Sequence, residues 1–204
     1  MIPIISWAQI PLNLNPSRVL GHTQLRVVTA NPNLAEGREL FSPQSVTVDT
    51  VRNLVYVADT FNNRVLGWSN ASSFINGAPA NIVVGQRDLI STLPLGPGTT
   101  LSSGLNAPTG LAVDRDGNLY VADSGNNRVI RYPQPFAQPE GVRLADFVIG
   151  QTSISGSRAP NAGGLSERSL QLVSGSAALR VGIVFDAQGN LLVSDSGNNR
   201  VLRY

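Results

Sequence analysis

The chain has 204 residues, 42% of them hydrophobic and 14% charged, with a formal net charge of +2. It has no cysteine and no lysine, so disulfides, thiolate catalysis, zinc-thiolate sites and lysine Schiff-base chemistry are all excluded. His22 is the one histidine, which rules out a multi-histidine metal site within a single chain.

In chain order, the N-terminal stretch MIPIISWAQIPLNL is apolar, but it has no basic region and is broken by prolines. It reads as neither a signal peptide nor a membrane span. Residues 4–7 (IISW) and 18–22 (RVLGH) read as strands. A regular series follows. Short apolar runs at 45–49, 54–59 and 64–68 are joined by the turns TVRN and TFNN, and a fourth run, IVVGQ, lies at 82–86. The same order returns at 110–114, 119–123, 128–132 and 147–151, and again at 182–186, 191–195 and 200–204. Runs rich in Val, Leu, Ile and Tyr, separated by Gly/Asn/Asp turns, predict antiparallel meanders. Asn and Gly suit the turns because they tolerate positive φ.

The central text is said three times: VADTFNNRVL (57–66), VADSGNNRVI (121–130) and VSDSGNNRVL (193–202). Asp59, Asp123 and Asp195 stand 64 and then 72 residues apart. Self-similarity at a near-fixed period is the signature of a stacked supersecondary unit. With strands a, b, c and d in each unit, the reading is an all-β propeller of three four-stranded antiparallel blades. The units span about 1–68, 69–132 and 133–204 within one segment, 1–204.

Residues 105–132, LNAPTGLAVDRDGNLYVADSGNNRVIRY, resemble an NHL repeat. The likeness lies in Pro108, Gly110, Val113-Asp114, Gly117-Asn118-Leu119-Tyr120-Val121-Ala122-Asp123 and Asn127-Arg128-Val129. Copy one departs at Gln44-Ser45, and copy three at Arg180-Val181. The resemblance implies a six-bladed ring in most relatives. Three blades cannot close, so the chain is expected to be half of a ring or a fragment of a longer array. In the first case the 1–22 segment of one chain would complete the last blade of another.

Candidate binding residues follow from the repeat: Asp59, Asn63 and Arg64; Asp123, Asn127 and Arg128; Asp195, Asn199 and Arg200. One reading is a ring of charged groups for a ligand. The favoured one is a structural device, because a ligand site is usually asymmetric and this chemistry is identical in every copy. Asp114-Arg-Asp116-Gly117-Asn118 resembles the start of a calcium loop but lacks the closing Glu, so a hairpin turn is the better reading. His22 stands where Gln86 and Gln151 stand in the other copies, which favours a hydrogen-bonded edge residue. Trp68, Tyr132 and Tyr204 share a repeat position with Trp7, and are read as aromatics closing strand c against the next sheet. No catalytic constellation and no metal site is assigned.

The long connections 87–107 and 152–179 share a face with the b–c turns, and loops on a rigid scaffold are where binding surfaces usually sit. The function expected is a non-enzymatic module binding protein, peptide or glycan through that face, with self-association to complete the ring. One alternative, which the resemblance also implies, is part of a propeller lyase or lactone hydrolase with a channel metal, Ca²⁺ being the cofactor such a ring of Asp and Asn would take. A second is an RNA-binding NHL domain, against which the missing basic stripe argues. Low charge, absent lysine and Gly/Ser-rich loops point to an extracytoplasmic bacterial protein.

Overall fold

The computed structural model describes residues 13–26, 36–96, 103–156 and 158–204. Strands β1 (Pro43–Asp49), β2 (Leu54–Asp59), β3 (Arg64–Ser69) and β4 (Ile82–Val84) form one antiparallel sheet in sequence order. Strands β5 (Pro108–Val113), β6 (Leu119–Asp123), β7 (Arg128–Tyr132) and β8 (Phe147–Ile149) form a second. A short hairpin, β9 (Val173–Ser174) with β10 (Ala177–Ala178), precedes a third sheet of β11 (Ile183–Phe185), β12 (Leu191–Asp195) and β13 (Arg200–Arg203). The described residues are thus all-β, with four antiparallel sheets of two to four strands, an arrangement consistent with a β-propeller.

The third sheet has three strands where the repeat predicts four. Residues 18–22, expected as a strand, do not form one. The strand expected at 4–7, with Trp7, lies outside the described residues.

Adjacent sheets pack face to face through alternating side chains. Leu54, Tyr56, Ala58, Val65, Ile82 and Val84 of the first sheet meet Leu111, Leu119, Val121, Ile130 and Tyr132 of the second. The far face of the second, with Ala112, Ala122, Val129 and Ile149, meets Val181, Ile183, Leu191 and Val193 of the third. The first strands of neighbouring sheets, β1 with β5 and β5 with β11, lie in contact. A Cβ on Gly110 would come within 2.3 Å of the Val181 carbonyl oxygen, so glycine lets the third sheet's backbone close on the second.

Two of the aromatics at the end of strand c, Trp68 and Tyr132, are packing residues, but they face the other way from expectation, and Tyr204 is 38% exposed. Tyr132 packs into the core shared with the preceding sheet, its hydroxyl donating to Ser103 O at 2.6 Å. Trp68 covers the outer face of the first sheet, with Nε1 donating to Ala78 O at 3.0 Å.

The change of period from 64 to 72 has a local cause. Leu105 to Gly110 is five residues, whereas Leu170 to Gly182 is twelve, and the β9–β10 hairpin fills that difference; the one residue still to be accounted for lies in strand b, which has six residues in the first copy and five in the others.

Candidate functional site

Each b–c connection is a single 3-10 turn between an Asp that ends strand b and an Arg that opens strand c. The turn closes on a left-handed Asn: Asn63 at φ 52°, Asn127 at φ 51° and Asn199 at φ 54°. Asn is one of the few residues with a side chain that adopts this conformation at low cost. It is this Asn, and not the neighbouring Gly125 or Gly197, that carries the positive φ.

The carboxylate organises the turn identically in all three copies. Its Oδ1 accepts the N–H of Phe41, Asn106 or Gln171, at 2.6, 2.7 and 2.8 Å. Its Oδ2 accepts Nδ2 of Asn62, Asn126 or Asn198, at 2.9, 2.7 and 2.8 Å. The same oxygen receives Nε of Arg64, Arg128 or Arg200, at 2.8, 2.7 and 2.7 Å. The guanidinium nitrogens left over donate to loop carbonyls: Leu89 and Glu39 for Arg64, Ile154 and Gly104 for Arg128, Ser166 and Ser169 for Arg200. Burial pushes the Asp59 carboxyl up, while Arg64 and the Phe41 and Asn62 donors pull it down. A charge pair removed from water needs this full set of partners, or the desolvation cost dominates.

The Asn side chains reach across to the next sheet. Asn63 Oδ1 accepts the Ala107 N–H at 2.9 Å, and Asn127 Oδ1 accepts the Leu172 N–H at 2.7 Å. Their Nδ2 atoms donate to Thr92 O and Arg158 O in the long connections, at 2.9 and 3.0 Å. Gln86 and Gln151 bind the same regions, each donating to the left-handed Asn carbonyl at 2.9 Å and to a loop carbonyl. His22, at the equivalent place, is half-buried.

Each triplet of candidate residues is therefore gathered within its own sheet. Asp59, Arg64, Asp123, Asn127 and Arg128 are 0–2% exposed. Asn199 is exposed and Arg200 half-buried. The suspected calcium loop is a turn whose carboxylate is already engaged. Asp114 Oδ1 accepts the N–H groups of Asp116 and Asn118 at 3.0 and 2.9 Å, and Oδ2 accepts Asn118 Nδ2 at 2.8 Å. Asp186 repeats this with Gln188 and Asn190, and these donors, joined by Arg203, hold its carboxyl down at about 2. Among the described residues no group of three or more His, Cys, Asp or Glu is placed to hold a metal ion.

One feature of this face breaks the symmetry. Where copies two and three have Gly125 and Gly197, copy one has Phe61, which packs edge-on against Phe41 with ring centroids 5.2 Å apart. Phe61 is 55% and Phe41 37% exposed. In the other copies Asn106 and Gln171 lie over the glycine, where a Cβ would come within 2.6 and 2.5 Å of their side chains. The connection that crosses the Phe61 turn presents Ile90 and Leu93, both more than 60% exposed. Asp88 fixes that segment by accepting the N–H groups of Ile90 and Ser91 at 3.1 and 2.7 Å. Hydrogen bonds from the Ser91 side chain and backbone and from the Ile90 N–H hold the Asp88 carboxyl below its ordinary value. Sequence reasoning passed over this pair, although its signal was present: TFNN departs from SGNN at two positions, and at one of them Phe61 replaces a glycine.

Residues 105–132 match the family model of the NHL repeat, so the chain carries that repeat. No curated protein matches the chain. Among solved structures the chain is similar to the hydrazine synthase of Kuenenia stuttgartiensis, with a TM-score of 0.40 and 13% identity over 88% of this chain and 38% of that one. It is also similar to an auxiliary nutrient binding protein from Bacteroides thetaiotaomicron, with a TM-score of 0.39 and 12% identity over 76% of this chain and 35% of that one. It spans less than two fifths of either.

Proposed function

We propose that this NHL-repeat-bearing chain is a non-enzymatic binding module of three blades, taking a protein, peptide or glycan ligand on the face of its long d–a loops. The carrying observation is the exposed Phe41–Phe61 pair, beside which the connection bound to the same turn through Leu89 and Thr92 presents the exposed Ile90 and Leu93. The Asp–Arg pairs of all three turns, and the Asn63 and Asn127 side chains, have their hydrogen bonds engaged within the frame and serve to position the loops. An exposed aromatic pair offers apolar contact at low conformational cost, since each Phe has two side-chain torsions, and a contiguous exposed apolar patch commonly marks an interaction site. An apolar side chain of a peptide, or the apolar face of a sugar ring, fits such a surface.

Phe61→Gly tests this without disturbing the scaffold, because glycine is what the other two copies use. Peptide and glycan arrays probed with the parent and with F61G are expected to yield ligands that the parent retains and F61G loses. Ligands retained equally by both, or no ligand for either, would overturn the reading.

A further inference from the structure

A cavity lies between the first two sheets, at the end away from the long d–a connections. The turn between β1 and β2 supplies Arg52, strand β2 supplies Leu54 and Tyr56, and the turn between β5 and β6 supplies Gly117. The connection from β7 to β8 reaches it from the second sheet with Phe136 and Ala137. The space is ≈ 280 Å³. Sites for drug-sized molecules usually have about 300–1,000 Å³, so this one suits a smaller body. It stands between two four-stranded sheets, inside the array.

Tyr56 brings to it a polar atom that the fold leaves without a partner. The residue is 0% exposed, and its hydroxyl makes no hydrogen bond among the described residues. The other copies avoid this. In the second, Tyr120 stands opposite Arg131 and the two side chains are hydrogen-bonded. In the third, Leu192 takes the position. Tyr56 stands opposite Gly67, which has no side chain to offer. The Phe136 ring fills that place instead, edge-on to Tyr56 with centroids 5.8 Å apart. A buried hydroxyl left unpaired is costly, and in a native fold it calls for an explanation.

The free polar groups here are donors. The Asp49 carboxylate is already occupied, by the N–H groups of Val51 and Arg52 at 3.0 and 2.9 Å and by Arg52 Nη1 at 3.2 Å. Arg52 keeps Nε and Nη2, which donate to no group among the described residues. A Cβ on Gly117 would come within 2.6 Å of Arg52 Cζ, so glycine lets the guanidinium lie against the second sheet's turn. Gln134, also on the wall, spends its Nε2 on Asp116 O at 3.0 Å. Burial, and then Asp49, push the Tyr56 hydroxyl above its ordinary value, while Arg52 pulls it back. The hydroxyl therefore stays protonated and can donate.

We propose that this cavity binds a small aromatic carboxylic acid, with its ring against Phe136, Leu54 and Ala137 and its carboxylate on the Tyr56 hydroxyl and the Arg52 guanidinium. Two donors, one of them charged, suit an anionic acceptor, because charge-assisted hydrogen bonds are the strong ones. An amine would meet the like charge of Arg52. The rest of the wall is apolar and partly aromatic, and a single ring fills it. A sugar or a peptide backbone would leave polar groups unpaired against that wall, at a cost. The site uses no residue of the Phe41–Phe61 face, so its test stands apart from the array test above.

Isothermal titration of the chain with benzoate, phenylacetate, 3-phenylpropanoate and cinnamate is expected to show saturable binding of at least one, about tenfold tighter than of the matching amide. Tyr56→Phe keeps the ring and removes only the unpaired hydroxyl. The variant is expected to melt no lower than the parent and to bind the acid about tenfold more weakly. Arg52→Gln is expected to abolish the preference for acid over amide. Binding of none of these acids, or equal affinity in the parent and Y56F, would overturn the proposal. A Y56F protein that melts well below the parent would mean that the hydroxyl is already paired, and would also overturn it.

Discussion

The first and third sheets use the same ion pair in different surroundings. Arg64 and Asp59 are both fully buried, with another sheet packed alongside. In the third sheet Asp195 is buried equally, but the side chain of Arg200 is 27% exposed, although its ion pair is 2.7 Å long against 2.8 Å in the first. The turn builds itself from its own residues. What the next sheet contributes is exclusion of water from one side. Repeated chemistry therefore does not mean repeated energetics, and each copy's stability is set by its neighbours, as in other repeat proteins.

Removing the cation is the hardest test of that contrast. Arg64→Met leaves a buried carboxylate without its partner and is expected to cost about 3–5 kcal/mol in urea denaturation. Arg200→Met is expected to cost less than half as much, because water reaches the third turn. Equal losses would mean that the turn's own hydrogen bonds, and not burial, set the cost. Glycine positions sharpen the point at one backbone angle. Gly85 and Gly189 both have φ 89°, but a Cβ on Gly85 would lie 2.5 Å from Leu105, while nothing lies within 4 Å of one on Gly189. Gly85→Ala combines backbone strain with overpacking, expected at about 2–4 kcal/mol, and Gly189→Ala carries strain alone, about 1–2 kcal/mol. Thermal melts of the two variants would separate the two contributions.

Asn127→Gly keeps the left-handed turn but deletes the bridge to Leu172 and Arg158, with an expected loss of about 1–3 kcal/mol. Asn199→Gly is expected to leave monomer stability close to unchanged, because that Asn is exposed. The smallest effect concerns pH. Asp186 has a folded-state pKa of about 2, below its ordinary 3.8. Its contribution is therefore present above the ordinary value and is lost as pH falls toward 2, the reverse of the direction set by the raised Asp59. The melting-temperature gap between the parent and Asp186→Asn is expected to narrow over that interval. A gap that stays constant would show that Asp186 acts through contacts that its charge does not change.

The frame was legible because apolar alternation and turn chemistry agree in each copy. LVYVAD, LYVAD and LLVSD lie on β2, β6 and β12 residue for residue. Strand a was placed less well. It begins two residues early at Pro43 and Pro108, where a bulge shifts the register, and a bulge leaves no periodic trace. The β9–β10 hairpin was hidden inside a Gly/Ser-rich connection, since VSGSAA has too few large apolar residues to read as strands. The Asp–Asn–Arg triplets could be found by repetition. Repetition could not reveal the Phe41–Phe61 pair, which exists only because one copy differs.

The Gly–Leu contact at the root of each long connection also makes a practical boundary. Gly85 and Leu105 touch, as do Gly150 and Leu170, and backbone bonds join the roots as well, Leu105 N to Gly85 O and a bridge between Gly150 and Ser169. Such a root acts as a clasp: the strands on either side are held together whatever hangs between them. Doubling the length of a flexible loop on fixed ends costs only about 0.6 kcal/mol. These two positions accordingly bracket exchange points, where the outward side chains of a segment can be rewritten provided that the replacement keeps the carbonyls that Arg64, Asn63 and Gln86, or Arg128, Asn127 and Gln151, bind.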